Sequence, residues 1–442
     1  MYKIGMISLG CPKNQVDAER MLAQFDKNGF VISDCYDGVD AVIINTCGFI
    51  DAAKQEAIEN ILEMAELKAE GVVGKIIVTG CLAQRYKDEI LSEIPEVDTI
   101  VGIGANGDIA DIVKKTIEGE KIYQMPDNSN LPLVGERLLT TPEHWAYLKI
   151  ADGCSNRCTY CSIPSIRGDF RSVEFETLID EAKALASTGI KELVLIAQDT
   201  TNYGADLYGK LRLPELLDAL CEIDGIEWIR MLYCYPDKIT DELIETMARQ
   251  PKVLHYIDLP LQHADDGILK SMNRRGDSAY LREVINKIRN AMPDAVIRTT
   301  FIVGFPGEGD KEFENLAEFI NEIEFDRLGC FAFSPQEGTP AFDFEDQIEE
   351  DVKLRRGEII MQDQLEIVTV KNQERIGKTY RVIVEDYDGY TDSYSGRTYM
   401  DAPEIDGSIS FTTSNNYEPG DFADVVVIGV NDYDLIGRDV NS

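Results

Sequence analysis

Trp145-Ala146-Tyr147-Leu148-Lys149-Ile150-Ala151-Asp152-Gly153-Cys154-Ser155-Asn156-Arg157-Cys158-Thr159-Tyr160-Cys161 is a mostly apolar run that ends in three cysteines. Trp145–Ala151 has the length and composition of a buried strand. The cysteines behind it are separated by three residues and then by two. Two close cysteines suffice for half of a structural zinc site, which takes four ligands. Three thiolates this close can hold three corners of a cubane iron–sulfur cluster, which normally has four cysteine ligands. No fourth cysteine lies nearby, so one iron would stay open, and an open metal position is where chemistry occurs. A zinc knuckle is the competing reading; the surrounding pattern speaks against it.

Outward from this stretch the chain alternates strands and helices. The expected strands are Trp145–Ala151, Glu192–Gln198, Trp228–Tyr235, Tyr256–Pro260, Ile297–Val303 and Leu328–Phe333. Helices are expected between them, at Phe175–Ser187, Leu213–Cys221, Thr240–Arg249, Ser278–Ala291 and Lys311–Ile323. Six parallel strands with outer helices predict a partial (βα)6 barrel whose reactive groups lie beyond the C-terminal strand ends. Cys154, Cys158 and Cys161 follow the first strand on that face. So do Gln198 and Asp199 after the second strand, and Gln262 and His263 after the fourth. Arg298 and Thr300 lie in the fifth strand, which runs into the turn Gly304-Phe305-Pro306-Gly307-Glu308. These six polar residues are candidates for holding a nucleotide-like ligand. Each has a plain alternative: such a turn is often only a turn, and a histidine is often only a hydrogen-bonded structural residue.

The first 120 or so residues repeat the alternation. Strands are expected at Tyr2–Leu9, Asp40–Thr46 and Lys75–Thr79, with helices at Val16–Asn28, Ala52–Glu70 and Leu82–Ile94. Cys11, Cys47 and Cys81 each follow one of these strands. In a parallel sheet with right-handed crossovers the three strand ends share one edge, where ligands gather. Three thiols far apart in sequence should therefore converge. Gly10, Gly48 and Gly80 flank them and would let the backbone approach a bulky ligand. The alternatives are three buried packing cysteines or a lone catalytic thiol, which no nearby histidine would activate. Cys35, Cys221, Cys234 and Cys330 read as packing residues.

Residues 347–375 read as a connecting helix. Thr379–Glu385, Gly407–Thr412 and Ala423–Val430 then alternate like strands between Gly- and Asp-rich turns, which predicts a small antiparallel barrel. The expected architecture is thus α/β. It has an N-terminal parallel sheet domain (1–135), a partial barrel (140–373) and a small β-barrel (376–442).

The 442 residues, 44% hydrophobic, suit two to three cored domains. The net charge of −37 would repel a polyanion such as RNA and attract a basic protein, although solubility alone also explains an acidic surface. Ten cysteines in a long chain without a secretory pattern do not suggest a disulfide framework. Ser8-Leu9-Gly10-Cys11 resembles a lipoprotein cleavage box, but the segment before it is too short for a signal. No stretch of about eighteen apolar residues suggests a membrane span. A cytoplasmic location, without membrane association, is expected.

The Cys154/Cys158/Cys161 spacing resembles the signature of radical S-adenosylmethionine (radical SAM) enzymes. With the strand-end triad, the Gly304–Glu308 turn and the C-terminal β domain, which resembles a TRAM domain, the chain is similar over essentially its whole length to the methylthiotransferase family of those enzymes. The resemblance implies two four-iron four-sulfur (4Fe-4S) clusters, one on Cys11, Cys47 and Cys81, the other on Cys154, Cys158 and Cys161. It implies SAM bound at the open iron of the central cluster and cleaved there to a 5′-deoxyadenosyl radical. It also implies sulfur supplied at the N-terminal cluster and a second SAM as methyl donor. Leu9-Gly10-Cys11-Pro12-Lys13-Asn14 and Pro260-Leu261-Gln262-His263 are most similar to the branch that modifies an aspartate of the twelfth small-subunit ribosomal protein. The tRNA-modifying relatives tend to carry serine where His263 stands. The implied partners are that ribosomal protein, free or in the ribosome, and a low-potential electron donor such as flavodoxin or ferredoxin. RNA binding is not expected as the main mode, since residues 376–442 carry thirteen acidic and four basic side chains. A tRNA methylthiotransferase and a noncatalytic iron–sulfur sensor are the alternatives.

Overall fold

The computed structural model describes residues 1–442. The first sheet contains β1 (Lys3–Ser8), β2 (Val31–Ile32), β3 (Ala41–Thr46), β4 (Ile76–Gly80), β5 (Thr99–Val101) and β6 (Ile122–Gln124). All its pairings are parallel, in the order β2-β1-β3-β4-β5-β6. β3 and β4 are buried at every residue, as continuous apolar runs covered on both faces should be. Helices α1 (Pro12–Lys27), α2 (Asp51–Ala69), α3 (Cys81–Glu93) and α4 (Ile109–Ile117) make the crossovers. The sheet is wider than the three expected strands because β2, β5 and β6 have only two or three residues each, too few to show a period.

The second sheet begins with β7 (Trp145–Lys149). A short antiparallel ribbon, β8 (Ala151–Asp152) and β9 (Arg171–Ser172), brackets the cysteine loop and helix α5 (Ile163–Arg167). Five more strands follow: β10 (Glu192–Ile196), β11 (Trp228–Met231), β12 (Val253–Asp258), β13 (Val296–Val303) and β14 (Arg327–Ala332). They run in the order β14-β13-β12-β11-β10-β7, every pair parallel, with no pairing between β14 and β7. The sheet is therefore an open, partial barrel, as expected. Its two faces separate by period-two alternation. Ala146, Leu148, Leu193, Leu195, Ile229 and Ile257 pack under the outer helices.

The opposite face carries Trp145, Tyr147, Val194, Ile196, Trp228, Leu254 and Tyr256. This inner wall is covered by the core of the C-terminal domain, including Val382, Ile383, Val384, Met400 and Phe411. That domain is a closed five-stranded barrel of β15 (Thr379–Asp388), β16 (Ser393–Arg397), β17 (Ile409–Thr412), β18 (Phe422–Asn431) and β19 (Asp434–Asp439). Four of its five pairings are antiparallel; β17 pairs β19 in parallel, so closure departs from the purely antiparallel expectation. Trp228 meets Phe422 edge-on at 5.1 Å. Buried Glu192 accepts from Arg230 at 2.7 Å and pairs with Arg397 at 2.8 Å across the domain boundary. These contacts lie near the strand starts. The C-terminal barrel thus closes the bottom of the partial barrel, and the C-terminal strand ends remain for the site. No helix is long and apolar enough to cross a membrane.

Candidate active site

Cys11 follows β1 and caps α1, Cys47 follows β3, and Cys81 follows β4 and opens α3. Because β1, β3 and β4 are adjacent, the three thiols meet at one edge. Gly10 has φ +94°, and a Cβ there would come within 2.5 Å of the Cys47 Cβ and 2.8 Å of its sulfur. At Gly48 a Cβ would lie 2.8 Å from the Leu82 Cα. Only glycine allows the three loops to close up this way.

Burial raises the Cys81 thiol to about 12, with Arg167 opposing the rise and Cys47 and Cys11 adding to it. Burial also pushes Cys47 up. Cys11 is held below its ordinary value: burial works against this, but Lys13, Arg167 and nearby backbone N–H groups outweigh it. Lys13 is itself lowered, by burial first, with Cys11 opposing.

The second triad lies on the loop after β8. The loop is pinned at both ends: the Cys154 N–H donates to the Gly168 carbonyl at 3.1 Å, and the Thr159 N–H donates to the Met272 carbonyl at 3.1 Å. Thr159 Oγ1 adds a bond to the Ser271 carbonyl at 2.9 Å. Burial raises Cys154 and Cys161, and their fellow cysteines raise them further. The Cys158 sulfur is 3.3 Å from the Tyr235 hydroxyl and 3.8 Å from Arg274 Nη1. Arg167 Nη2 stands in the same relation to Cys81, at 3.9 Å. Each triad therefore has a guanidinium donor beside one sulfur, fully buried Arg167 at Cys81 and half-buried Arg274 at Cys158, which suits a thiolate.

Three cysteines on one rim, in each triad, suit a polynuclear cluster in which each thiolate binds a different iron.

The two triads are joined by buried charge. Asp17 on α1 accepts from Arg167 Nη1 at 2.9 Å and from Lys149. Asp152 accepts from the same two cations, at 2.8 Å each. All four side chains are at most 2% exposed, and their charges cancel. Burial would raise Asp152, but Arg167 and Lys149 hold it far below the ordinary carboxylate range. Arg85 makes a second bridge. Its Nη1 donates to the carbonyl of Gly48, beside Cys47, at 2.7 Å and lies 3.5 Å from the hydroxyl of Ser162, beside Cys161.

The six expected ligand-binding residues divide in two. His263 is fully buried; its Nδ1 accepts from the Asp265 N–H at 2.9 Å and its Nε2 contacts Glu308 at 3.1 Å. Asp199 is filled by Asn156 at 2.7 Å, Thr201 at 2.8 Å and Lys238. Arg298 pairs with Asp258 at 2.8 Å and with Asp406 of the C-terminal barrel at 3.3 Å. Each of these three already has protein partners and braces elements against one another. Gln198 gives its amide to Asp152 at 3.3 Å but keeps a buried oxygen without a partner. Gln262 has φ +73° and pairs its backbone with β13, and Thr300 is half-buried with an unengaged hydroxyl.

Sequence reasoning missed the charged quartet, Arg85 and Arg274. One signal was available: Lys149 is a lysine inside an otherwise apolar strand, and a buried lysine needs a partner.

Comparison with known proteins gives three matching regions. Residues 3–102 match the Uncharacterized protein family UPF0004, residues 148–320 the Radical SAM superfamily, and residues 376–440 the TRAM domain. The chain is 49% identical to "Ribosomal protein uS12 methylthiotransferase RimO" of Acetivibrio thermocellus, covering 99% of this chain and 98% of the relative. It is 48% identical to the protein of that name from Clostridioides difficile, again over 99% and 98%. Among solved structures, the radical SAM methyltransferase TsrM of Kitasatospora setae superposes with a TM-score of 0.56 at 12% identity, over 75% of this chain and 73% of that one. That likeness concerns the fold alone.

Proposed function

The chain belongs to the RimO family of ribosomal protein uS12 methylthiotransferases, and we propose that it adds a methylthio group to the β-carbon of an aspartate of uS12. The observation that carries this reading is near-full-length identity close to one half with proteins of that name. Two cysteine triads at facing domain edges support it. Membership implies SAM and a 4Fe-4S cluster. We assign that cluster to Cys154, Cys158 and Cys161, and a second 4Fe-4S cluster to Cys11, Cys47 and Cys81.

When bound, these groups supply a carbon radical able to take hydrogen from an unactivated carbon, together with sulfur and a methyl group. The protein's part is position and shelter. Thr159 and Cys154 pin the radical loop, and Arg274 and Tyr235 hold the Cys158 sulfur. Arg85 and the Asp17–Lys149–Asp152–Arg167 quartet fix the two triads relative to each other. Gln198, Gln262 and Thr300 offer polar atoms to SAM, with Asp199, His263 and Arg298 as the supports behind them. The acidic C-terminal barrel suits a basic ribosomal protein by charge complementarity. The functional units are 1–135, 140–373 and 376–442, the electron donor is a low-potential protein of the flavodoxin or ferredoxin kind, and the reaction takes place in the cytoplasm.

The test is anaerobic incubation of the reconstituted enzyme with SAM, a reductant and either uS12 or tRNA, followed by mass spectrometry. A methylthio mass gain on uS12 is expected. A gain on tRNA alone, or failure to form 5′-deoxyadenosine, overturns the proposal.

A further inference from the structure

An open barrel leaves two strand edges, and this chain treats them differently. On the outer side of β7 the Trp145 carbonyl accepts from Thr141 Oγ1 at 2.9 Å and the Tyr147 carbonyl from Arg137 Nη1 at 2.6 Å, so the residues before that strand cover it. The edges of the first sheet, β2 and β6, are only two and three residues long. Covering and shortening are the usual ways to stop an edge from pairing with another chain. β14 has neither. It is six residues long and pairs on one side only, with β13. Its ladder ends with the Phe333 N–H donating to the Val303 carbonyl at 2.8 Å, which sets the alternation. Phe331 and Phe333 turn toward β13, and Cys330 and Ala332 turn their N–H and C=O groups away. No hydrogen bond from elsewhere in the chain reaches those four groups. Both residues are partly exposed.

The free edge borders the opening of the barrel. Leu328 and Cys330 pack under the outer helices, so Phe331 faces the barrel interior, where it is 54% exposed. Residues 401–406 cross beneath the opening: Arg327, at the foot of β14, donates to Asp401 at 2.5 Å, and the Tyr147 hydroxyl on β7 lies 3.4 Å from Glu404. At its upper end β14 runs into Gln336 and Glu337, which accept from Arg85 at 3.1 Å each. Arg85 is the residue that bridges the two cysteine loops. A strand laid along β14 would thus lead from the opening to the space between the triads. The chain leaving β14, residues 337–351, carries seven acidic and no basic side chains. We propose that the free edge of β14 is a docking strand for an extended, basic segment of the protein substrate, the stretch of uS12 that carries the aspartate. Main-chain bonds to Cys330 and Ala332 hold the segment, Phe331 packs against it, and the acidic run favours its charge. This rests on the uS12 reading above.

The experiment follows hydrogen exchange in the reconstituted wild type with and without intact uS12, using fragmentation that resolves single amides in residues 326–333. Bound uS12 should slow Cys330 and Ala332 roughly 10-fold, and Gly329 and Phe331, already in the ladder, much less. Ala332→Pro removes one outward donor and no ladder bond, a place where an edge strand tolerates proline. Its iron content should match wild type while its affinity for uS12 falls roughly 2- to 10-fold. Ala332→Ser, which keeps the N–H, should bind as wild type does. Unchanged exchange at Cys330 and Ala332 in the uS12 complex refutes the docking strand, whatever the proline variant does. So does slowing produced by tRNA and not by uS12. A wild type that modifies uS12 without protecting this edge sinks only this inference; a wild type that never modifies uS12 sinks the reading beneath it.

Discussion

Asp17→Asn removes one negative charge from the joint between the triads. In the quartet, Asp17 accepts from Arg167 at 2.9 Å and from Lys149, and it is 2% exposed. The variant leaves Lys149 and Arg167 sharing Asp152 alone, with one positive charge uncompensated in a site that is at most 2% exposed. Breaking a buried pair costs about 3–5 kcal/mol. Asparagine keeps the size and one acceptor oxygen, so the low end applies, about 3 kcal/mol. The loss falls on the contact between α1 and the β7–α5 segment. Local opening there should become about 100-fold more frequent. Hydrogen exchange followed by mass spectrometry reads this on peptides covering α1 and Lys149–Gly153, where the Gly153 N–H donates to Asp152 at 2.7 Å. Pairing Asp17→Leu with Lys149→Met restores neutrality and should recover most of the protection. Unchanged exchange in Asp17→Asn would refute the view that this quartet holds the triads in register.

Cys158→Ala should abolish 5′-deoxyadenosine formation from SAM, measured chromatographically; residual formation at the wild-type rate would remove Cys158 from the cluster ligands. Cys47→Ala should still cleave SAM yet leave uS12 without the methylthio mass gain; normal product would refute the division of labour between the triads. Burial would raise Glu192, but Arg397 and Arg230 together lower it below its ordinary value. A depressed carboxylate stabilises at pH above its unfolded value and loses that contribution as pH falls through the folded value. Docking of the C-terminal barrel, followed by the fluorescence of Trp228 against Phe422, should therefore persist at pH 5 and weaken only below about pH 4. Weakening that begins near neutrality would count against Glu192 as the anchor.

The long elements could be read from the chain because their burial is periodic or continuous. Phe175–Ser187 and Ser278–Ala291 lie where their spacing puts them, and β3 reads as a strand because its first four residues, Ala41–Ile44, are an unbroken apolar run. β16 (Ser-Tyr-Ser-Gly-Arg) and β19 (Asp-Leu-Ile-Gly-Arg-Asp) escaped notice because glycine, serine and aspartate mimic turns. Convergence of Cys11, Cys47 and Cys81 followed from topology alone, since equivalent positions in a parallel sheet must share an edge. The charged joint was not visible in the same way. Arg167 finds Asp17 from 150 residues away, and no local pattern announces such a partner. His263 taught the opposite lesson: a strand-end histidine suggested a ligand contact, yet Asp265 and Glu308 complete its bonding.

The small C-terminal barrel looks like a detachable module when the chain is read in one dimension. In space it is the lid on the greasy underside of its neighbour. A protein truncated before Thr379 would present Trp145, Tyr147, Val194, Trp228 and Tyr256 to water, an adhesive patch that invites aggregation. Shuffling of this unit between related enzymes is thus constrained by the wall it covers as much as by the partner it greets.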